Sequence, residues 1–369
     1  MFAIKTVISK ITKLLLFLLT FTGVLLIPAG CQPQIQTPST EQTEEKRVYQ
    51  SQTVCAFYVN GRGEGSSFNS FVENRAAIDE LSPLWYRLQG DGSLQEDVDS
   101  EALLLAEESG IKVIPLIALA GNRSREVLIN PTARKAAVEN IIRVMRDNSF
   151  DGVNIDLEII RIEGMDYTDY QEGLTAFLSE LREELPRSKR LDVCVLPPLE
   201  HPSHLAQIYD LREIAKITDR VVMMAYDYSH SGTEPGPVAP LWWVEDNIEY
   251  VLKIGLPPEK LSLGIATYGY DWLPGGKGAV ARGNVEIKSI VEQYRAQVSW
   301  DQESQVPVIH YSDPGVGERE IWFENTASIK KKLELAKKYR LAGCSFWRLG
   351  FEDQDLWDEV RKVIKRGSL

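Results

Sequence analysis

Short apolar segments alternate with longer amphipathic segments through most of this 369-residue chain. Short apolar runs bounded by turn residues are typical of buried strands, and longer amphipathic segments are typical of helices that pack on a sheet. Eight strand candidates arranged in this way are the number expected of a closed (β/α)8 barrel, with an open, doubly wound sheet as the structural alternative. The candidates are residues 54–59, 84–88, 113–119, 152–157, 191–196, 221–226, 261–266 and 343–347.

Helical patterns occupy most of the intervals between these candidates. One interval is different: residues 268–325 are too many for a single crossover and contain glycine-rich and Asp-Pro-Gly turn signals. We therefore expect a small β-rich (α+β) insertion between the seventh and eighth barrel strands. The clearest helical patterns cover residues 131–146, 167–185, 241–254 and 328–339.

The N-terminus has the order of an export signal. Three lysines within the first 13 residues precede the apolar run Leu14–Ile27, which is too short for a spanning helix. Ala29 and Gly30 then stand directly before Cys31, which resembles a bacterial lipoprotein processing site. Residues 1–30 are thus predicted to be a lipoprotein-type signal peptide, and Cys31 is predicted to carry a lipid anchor to the membrane. Pro28 departs from that pattern, so ordinary cleavage and an uncleaved anchor remain alternatives.

Composition separates the rest of the chain into a tether and a globular part. Residues 31–52 are polar and poor in large apolar groups, which predicts a disordered tether before a catalytic domain at residues 53–369. The net charge is −12, with no long basic block, so nucleic acid is not an expected partner. Four scattered cysteines favour neither a disulfide framework nor a zinc site. The export signal predicts an extracytoplasmic, water-facing protein.

The fourth strand candidate carries the chemistry. Within Phe150–Glu158 the aliphatic residues alternate with Asn154, Asp156 and Glu158. Because side chains alternate across a strand, these three polar groups share one face. In a barrel that face points inward, where carboxyl groups are costly unless they are paired or neutral. Each carboxyl group then opposes ionisation of the other, which suits Glu158 to act as a general acid.

The segment resembles the Asp-x-x-x-x-Asp-x-Glu motif of glycoside hydrolase family 18, the chitinase-like enzymes. Many members have a further aspartate where this chain has Asn154. Met224-Ala225-Tyr226-Asp227 resembles the Met-x-Tyr-Asp motif of the family, and Trp347 matches the tryptophan that forms the floor under the sugar. The resemblance runs from about residue 54 to residue 365. Within the family, four segments look most like the bacterial spore-cortex-lytic N-acetylglucosaminidases, which cut peptidoglycan. These segments are Leu84–Tyr86, Tyr268–Trp272, Ile321–Glu324 and Trp347–Gly350.

The resemblance implies a substrate-assisted mechanism with retention, in which the 2-acetamido oxygen of the substrate is the nucleophile. Glu158 would protonate the leaving oxygen, Asp156 would orient the acetamido group, and Tyr226 would hold it. The same resemblance implies that the substrate is a polysaccharide with 2-acetamido sugars and that no metal or cofactor is needed. Asn154, Met224, Asp227 and Trp347 are expected to contact the substrate.

Residues after the seventh strand candidate are further candidates for the cleft: Tyr270, Asp271 and Trp272. Two other functions remain open at this stage. A non-catalytic glycan-binding or germination-related protein could retain the barrel, although such proteins usually lose the acid, which is present here as Glu158. An unrelated barrel enzyme could use its carboxylates to bind a metal.

Overall fold

The computed structural model describes residues 52–120, 124–159, 166–199, 205–273 and 278–364. The predicted signal peptide, Cys31 and nearly all of the predicted tether lie outside these residues. The strands are β1 (Thr53–Tyr58), β2 (Glu80–Pro83), β3 (Tyr86–Leu88), β4 (Leu94–Glu96), β5 (Lys112–Val113), β6 (Leu116–Ala120), β7 (Gly152–Glu158), β8 (Arg190–Val195), β9 (Arg220–Met224), β10 (Leu261–Ala266), β11 (Tyr268–Trp272), β12 (Ala279–Gly283), β13 (Gln297–Asp301), β14 (Val306–Asp313), β15 (Gly317–Phe323) and β16 (Gly343–Trp347).

The helices pack around the strands. Four of them coincide with the four clearest predicted helical patterns to within one or two residues: α4 (Pro131–Asp147), α5 (Thr168–Glu184), α7 (Leu241–Lys253) and α9 (Thr326–Lys338). In the described part of the chain, no helix has both the length and the apolar character that a membrane span requires. The helices are α1 (Ser67–Asn74), α2 (Ser100–Glu108), α3 (Ser124–Ile129), α4 (Pro131–Asp147), α5 (Thr168–Glu184), α6 (Leu211–Ile217), α7 (Leu241–Lys253), α8 (Asn284–Tyr294), α9 (Thr326–Lys338) and α10 (Leu356–Val363).

Parallel strands form the barrel in the order β1, β2, β5–β6, β7, β8, β9, β10 and β16, and β16 pairs with β1. The segment containing β5 and β6 joins the two ends of the sheet. On one side the Ile114 N–H donates to the Leu81 carbonyl at 2.9 Å, and on the other the Asn154 N–H donates to the Pro115 carbonyl at 2.9 Å. These bonds close the curled sheet, as expected of a TIM barrel.

The predicted position of the second barrel strand is wrong. Residues 84–88 were expected to form it, but β2 (Glu80–Pro83) pairs with β1, and Tyr86–Leu88 pairs with β6 and β4 instead. The sequence pattern conceals β2 because it contains a charged residue and a proline. Glu80 is only 2% exposed.

Glu80 is tolerated inside the barrel because two arginines neutralise it. Its carboxylate accepts bonds of 2.6 Å from Arg190, on β8, and from Arg220, on β9. Arg190 also donates to Asp192 at 2.8 Å. These ion pairs hold the pKa of Glu80 below its usual range in spite of its burial.

Between β10 and β16 the chain forms a second, antiparallel sheet in the order β12–β11–β15–β14–β13. Its small core includes Ile287, Ile309 and Ile321. One residue, Thr267, separates β10 from β11, and its N–H and hydroxyl donate to the carbonyls of Trp347 and Arg348, both at 2.9 Å. Strand β11 is therefore fixed to the end of β16, beside the carboxyl ends of the barrel strands.

Candidate active site

Strand β7 has one apolar and one polar face. Val153, Ile155 and Leu157 are at most 1% exposed. On the other face, Asp156 and Glu158 line a cavity of about 220 Å³ at the carboxyl ends of the barrel strands. Active sites of TIM barrels lie at this end.

Asp156 lines this cavity and is half-buried. Its Oδ1 atom has no hydrogen-bond partner within the described part of the chain. Burial and the nearby charge of Glu158 raise the pKa of Asp156 well above its usual value. A buried oxygen that lacks a partner is costly, so this atom is suited to accept a hydrogen bond from a ligand in the cavity.

Glu158 lies two residues further along β7, at the mouth of the cavity, where part of its side chain is exposed. Protein atoms crowd its carboxyl group, and this burial together with the charge of Asp227 raises its pKa. Two coupled carboxyl groups with raised pKa values compete for a proton. When the pair holds one proton, one carboxyl group can donate that proton while the other carries a negative charge.

Tyr226 and Asp227 follow β9 after one intervening residue, Ala225. Tyr226 is buried against the cavity, and burial raises the pKa of its hydroxyl well above the usual value, so the hydroxyl stays protonated. Asp227 has a left-handed backbone, with a φ of 62°, a conformation that aspartate tolerates better than most residues. Its Oδ1 atom accepts hydrogen bonds from the hydroxyls of Tyr268 and of Tyr270, the latter at 3.1 Å.

Trp347, the last residue of β16, forms part of the cavity wall. The ring of Phe57 packs edge-on against it, with the ring centroids 5.3 Å apart. Met224 and Tyr270 complete the set of predicted residues that the structure brings to this cavity. An aromatic surface beside carboxyl groups suits stacking against the apolar face of a sugar.

Asn154 was expected to contact the substrate, but it lies beneath the cavity and is 2% exposed. Its amide donates to the Ser82 hydroxyl at 3.4 Å, and its Oδ1 accepts from the Cys194 thiol at 3.5 Å. Asn154 lies further from the carboxyl end of β7 than Asp156, at a depth where neighbouring strands surround it. Its polar groups therefore serve contacts between strands.

Asp271 and Trp272 also lie away from the cavity, in contrast to the prediction. Side chains alternate along β11, so Asp271 faces the interior of the small sheet, where Arg319 binds its carboxylate at 2.7 Å. Trp272 lies further along β11 and is 1% exposed. Its indole N–H donates to the Thr233 carbonyl at 3.1 Å, which anchors a neighbouring loop.

Several residues that line the cavity were not predicted. Tyr268 is two residues from Tyr270 on β11, so alternation along the strand was a signal that could have identified it. Phe57 lies near the carboxyl end of β1, a position that favours functional residues in this fold. Cys194 has the corresponding position near the carboxyl end of β8. Phe351 also lines the cavity, and its sequence neighbourhood carries no comparable signal.

Paired carboxyl groups of raised pKa beside an aromatic wall, at the carboxyl end of a barrel, are typical of enzymes that cleave glycosidic bonds by acid–base catalysis. In the described ranges, no three His, Cys, Asp or Glu side chains are grouped as metal ligands would be. Residues 87–352 match the sequence profile described as Glycosyl hydrolases family 18. The chain belongs to this family and is a glycoside hydrolase.

Two proteins of Bacillus subtilis are among its relatives. The chain is 26% identical to the uncharacterized glycosylase YvbX, over 82% of this chain and 90% of the relative. It is 29% identical to the cortical fragment-lytic enzyme, over 81% of this chain and 72% of that enzyme. The crystal structure of the Bacillus cereus spore cortex-lytic enzyme SleL has the same fold, with a TM-score of 0.73, 22% identity, and coverage of 85% of this chain and 75% of SleL.

Proposed function

We propose that this glycoside hydrolase cleaves β-1,4 bonds at N-acetylglucosamine residues with retention, using the substrate's own 2-acetamido group. The observation that supports the proposal best is the buried Asp156 Oδ1 atom, which has no partner within the described residues and lies on the same face of β7 as Glu158. An amide N–H of a bound sugar would satisfy that oxygen.

In the proposed reaction, Asp156 accepts a hydrogen bond from the acetamido N–H, and the Tyr226 hydroxyl donates to the acetamido oxygen. That oxygen attacks the anomeric carbon while Glu158 transfers its proton to the leaving oxygen, which breaks the glycosidic bond. The products of this step are a cyclic oxazolinium ion and a free sugar hydroxyl. Glu158 then removes a proton from water while the water oxygen bonds to the anomeric carbon. The bond from that carbon to the acetamido oxygen breaks, which opens the oxazolinium ring and restores the acetamido group with overall retention.

The remaining cavity residues bind the sugar in this proposal. Trp347 provides the surface on which the sugar ring stacks, and Met224 contacts the acetamido group. Asp227 lies close enough to Glu158 to raise its pKa, which keeps the acid protonated before cleavage. In other retaining glycosidases with paired carboxyl groups, one carboxylate is the nucleophile. In this proposal the acetamido group of the substrate takes that role.

Peptidoglycan is the proposed polymer, and chitin oligomers are the alternative with the same sugar chemistry. The names of two relatives, a cortical fragment-lytic enzyme and a spore cortex-lytic enzyme, favour a cortex or cell-wall substrate and a role in spore germination. The predicted signal peptide and Cys31 would place the enzyme outside the cytoplasm, anchored by lipid to the membrane. Labelling of Cys31 with a lipid precursor, with Cys31→Ala as the control, tests the anchor.

Digestion of purified spore cortex and, separately, of chitin oligomers tests the activity. We expect new reducing ends at N-acetylglucosamine and a loss of at least about 100-fold in rate for Glu158→Gln, because general acid–base catalysis contributes factors of this size. Glu101→Gln, which changes an exposed carboxylate outside the cavity, should leave the rate unchanged. Binding without release of reducing ends would instead favour a non-catalytic glycan-binding protein.

A further inference from the structure

The small sheet contributes two hydroxyl groups to the catalytic cavity, and both bind one atom. Tyr268 and Tyr270 each donate to Oδ1 of Asp227. Tyr268 is 4% exposed, and its ring packs edge-on between those of Tyr226 and Tyr270, with centroid distances of 6.3 and 5.6 Å. A buried, ring-packed hydroxyl has few orientations, so its hydrogen bond to Asp227 is pre-organised.

Local backbone geometry explains how one strand provides both hydroxyls. Alternation along β11 places Tyr268 and Tyr270 on the same face, with Gly269 between them. A Cβ atom at Gly269 would lie 2.3 Å from the Phe323 Cβ, so only glycine lets β11 approach β15 this closely. The start of β11 is held by Thr267, whose contacts to the end of β16 fix both tyrosines relative to the barrel.

We infer that Tyr268 and Tyr270 are positioning residues that hold the Asp227 carboxylate in the cavity and act on Glu158 through it. The inference rests on the proposed function, because it assigns Asp227 a role beside the acid. It also gives the small sheet a catalytic purpose. The hydroxyl of Tyr270, a residue expected from the sequence to bind substrate, is directed to an enzyme carboxylate.

The electrostatic effect of the two hydroxyls has a definite sign. Burial raises the pKa of Asp227, and the hydrogen bonds from Tyr268 and Tyr270 oppose that increase because they stabilise the charged form. The charge that Asp227 retains then raises the pKa of Glu158. Loss of either hydroxyl should therefore make Asp227 bind a proton at higher pH.

Other groups around Asp227 also enter its titration. Glu158 faces it from β7, and Asp156 lies behind Glu158 on the same strand. Tyr226, which precedes Asp227 in the chain, places its hydroxyl nearby. His230, in the loop after β9, lowers the pKa of Asp227 when the imidazole is charged. None of these groups changes when a tyrosine hydroxyl on β11 is removed, so a shift in such a variant reports the hydrogen bond.

The small sheet provides a matched control on its opposite face. There the Tyr311 hydroxyl lies 3.2 and 3.1 Å from the two carboxylate oxygens of Asp271. Tyr311→Phe thus removes a tyrosine–aspartate hydrogen bond from the same sheet without touching the cavity. Tyr268→Phe and Tyr270→Phe remove one hydroxyl each from the cavity and keep the rings that pack there.

The direct measurement is a ¹³C NMR titration of aspartate carboxyl groups in the full-length protein, with Asp227→Asn identifying the resonance. We expect the Asp227 midpoint to rise by about one to two units in Tyr268→Phe and in Tyr270→Phe, the size expected for loss of one hydrogen bond to a charged group. In Tyr311→Phe it should not move. Thermal unfolding of the three variants checks that each remains folded at the pH values used.

The pH profile of kcat/KM on N-acetylglucosamine oligomers is the second measurement. The midpoint of its acidic limb should move to higher pH in both cavity variants and stay at the wild-type pH in Tyr311→Phe. A purely structural defect would instead lower kcat/KM at all pH values without moving this midpoint. An unchanged Asp227 midpoint in both cavity variants, or an equal shift in Tyr311→Phe, would overturn the inference. A shifted midpoint in a protein that hydrolyses no glycan would leave the inference standing and reject the proposed function.

Discussion

Replacing Asp156 with asparagine removes one of the two carboxyl groups on β7 and keeps the size of the side chain. Residues two apart on a strand are separated by about 6.6 Å at Cα. Two unit charges at that distance interact by about 2.5 kcal/mol at an effective dielectric constant of about 20, which corresponds to about 2 pKa units. Because Glu158 is partly exposed, solvent screens the interaction, and we expect about one unit.

The sign of the shift follows from which group loses the last proton. In the wild-type pair, the last proton leaves while the other carboxyl group is already charged, which raises the pH at which this occurs. In Asp156→Asn it leaves Glu158 beside a neutral amide. The alkaline limb of kcat/KM should therefore move to lower pH by about one unit.

A fluorogenic N-acetylglucosamine oligosaccharide allows this profile to be measured at the low residual rate expected when the acetamido group loses its partner. Asp166→Asn, which removes an exposed carboxylate two residues before α5, is the control for a change in net charge. Its profile should coincide with that of the wild type. If the alkaline limb of Asp156→Asn also stays at the wild-type pH, the two carboxyl groups do not share a proton and the reasoning fails.

Two further predictions concern stability and substrate binding. Glu80→Gln should lower the free energy of unfolding in urea by about 3 kcal/mol, because it leaves buried arginines without a full counter-charge; Glu213→Gln, at an exposed ion pair, should change it little. Since the folded state lowers the pKa of Glu80, the stabilisation by its charge is present above about pH 4.3 and disappears as the pH falls further. The free energies of unfolding of the wild type and of Glu80→Gln should therefore converge in acid. Plots of these free energies against pH that stay parallel would contradict this. Trp347→Ala should raise KM for the oligosaccharide about tenfold, because it removes a stacking surface. Trp322→Ala, which changes a tryptophan outside the cavity, should leave KM unchanged. Equal effects of the two substitutions on KM would reject the stacking role of Trp347.

Local periodicity predicts much of the site. The alternation on β7 places Asp156 and Glu158 on one face without knowledge of any distant contact. Tyr226 and Trp347 end predicted barrel strands, and strand ends at the carboxyl edge of a barrel meet around one opening. These four residues lie around a single cavity in the structure.

The sequence-based predictions that are wrong concern residues whose contacts with distant segments of the chain override a local pattern. Glu80 makes β2 look unlike a buried strand, because its arginine partners lie 110 and 140 residues away in the chain. Asn154 follows the same alternation as Asp156 but lies deeper in the barrel. Asp271 looks like a cleft residue until its ion pair with Arg319, 48 residues away, is known.

Strand β11 has two faces with different consequences for the enzyme. On one face, Asp271 joins the interior of the small sheet through Arg319 and Tyr311. On the other, two tyrosines reach a carboxylate that lies more than 40 residues earlier in the chain. Because one backbone carries both sets of contacts, a change that breaks the Asp271–Arg319 ion pair, unlike loss of the Tyr311 hydroxyl alone, should also displace the hydroxyls on the cavity face. The stability of the small sheet and the protonation of the acid on β7 are therefore physically linked, although no residue of that sheet takes part in the proton transfer.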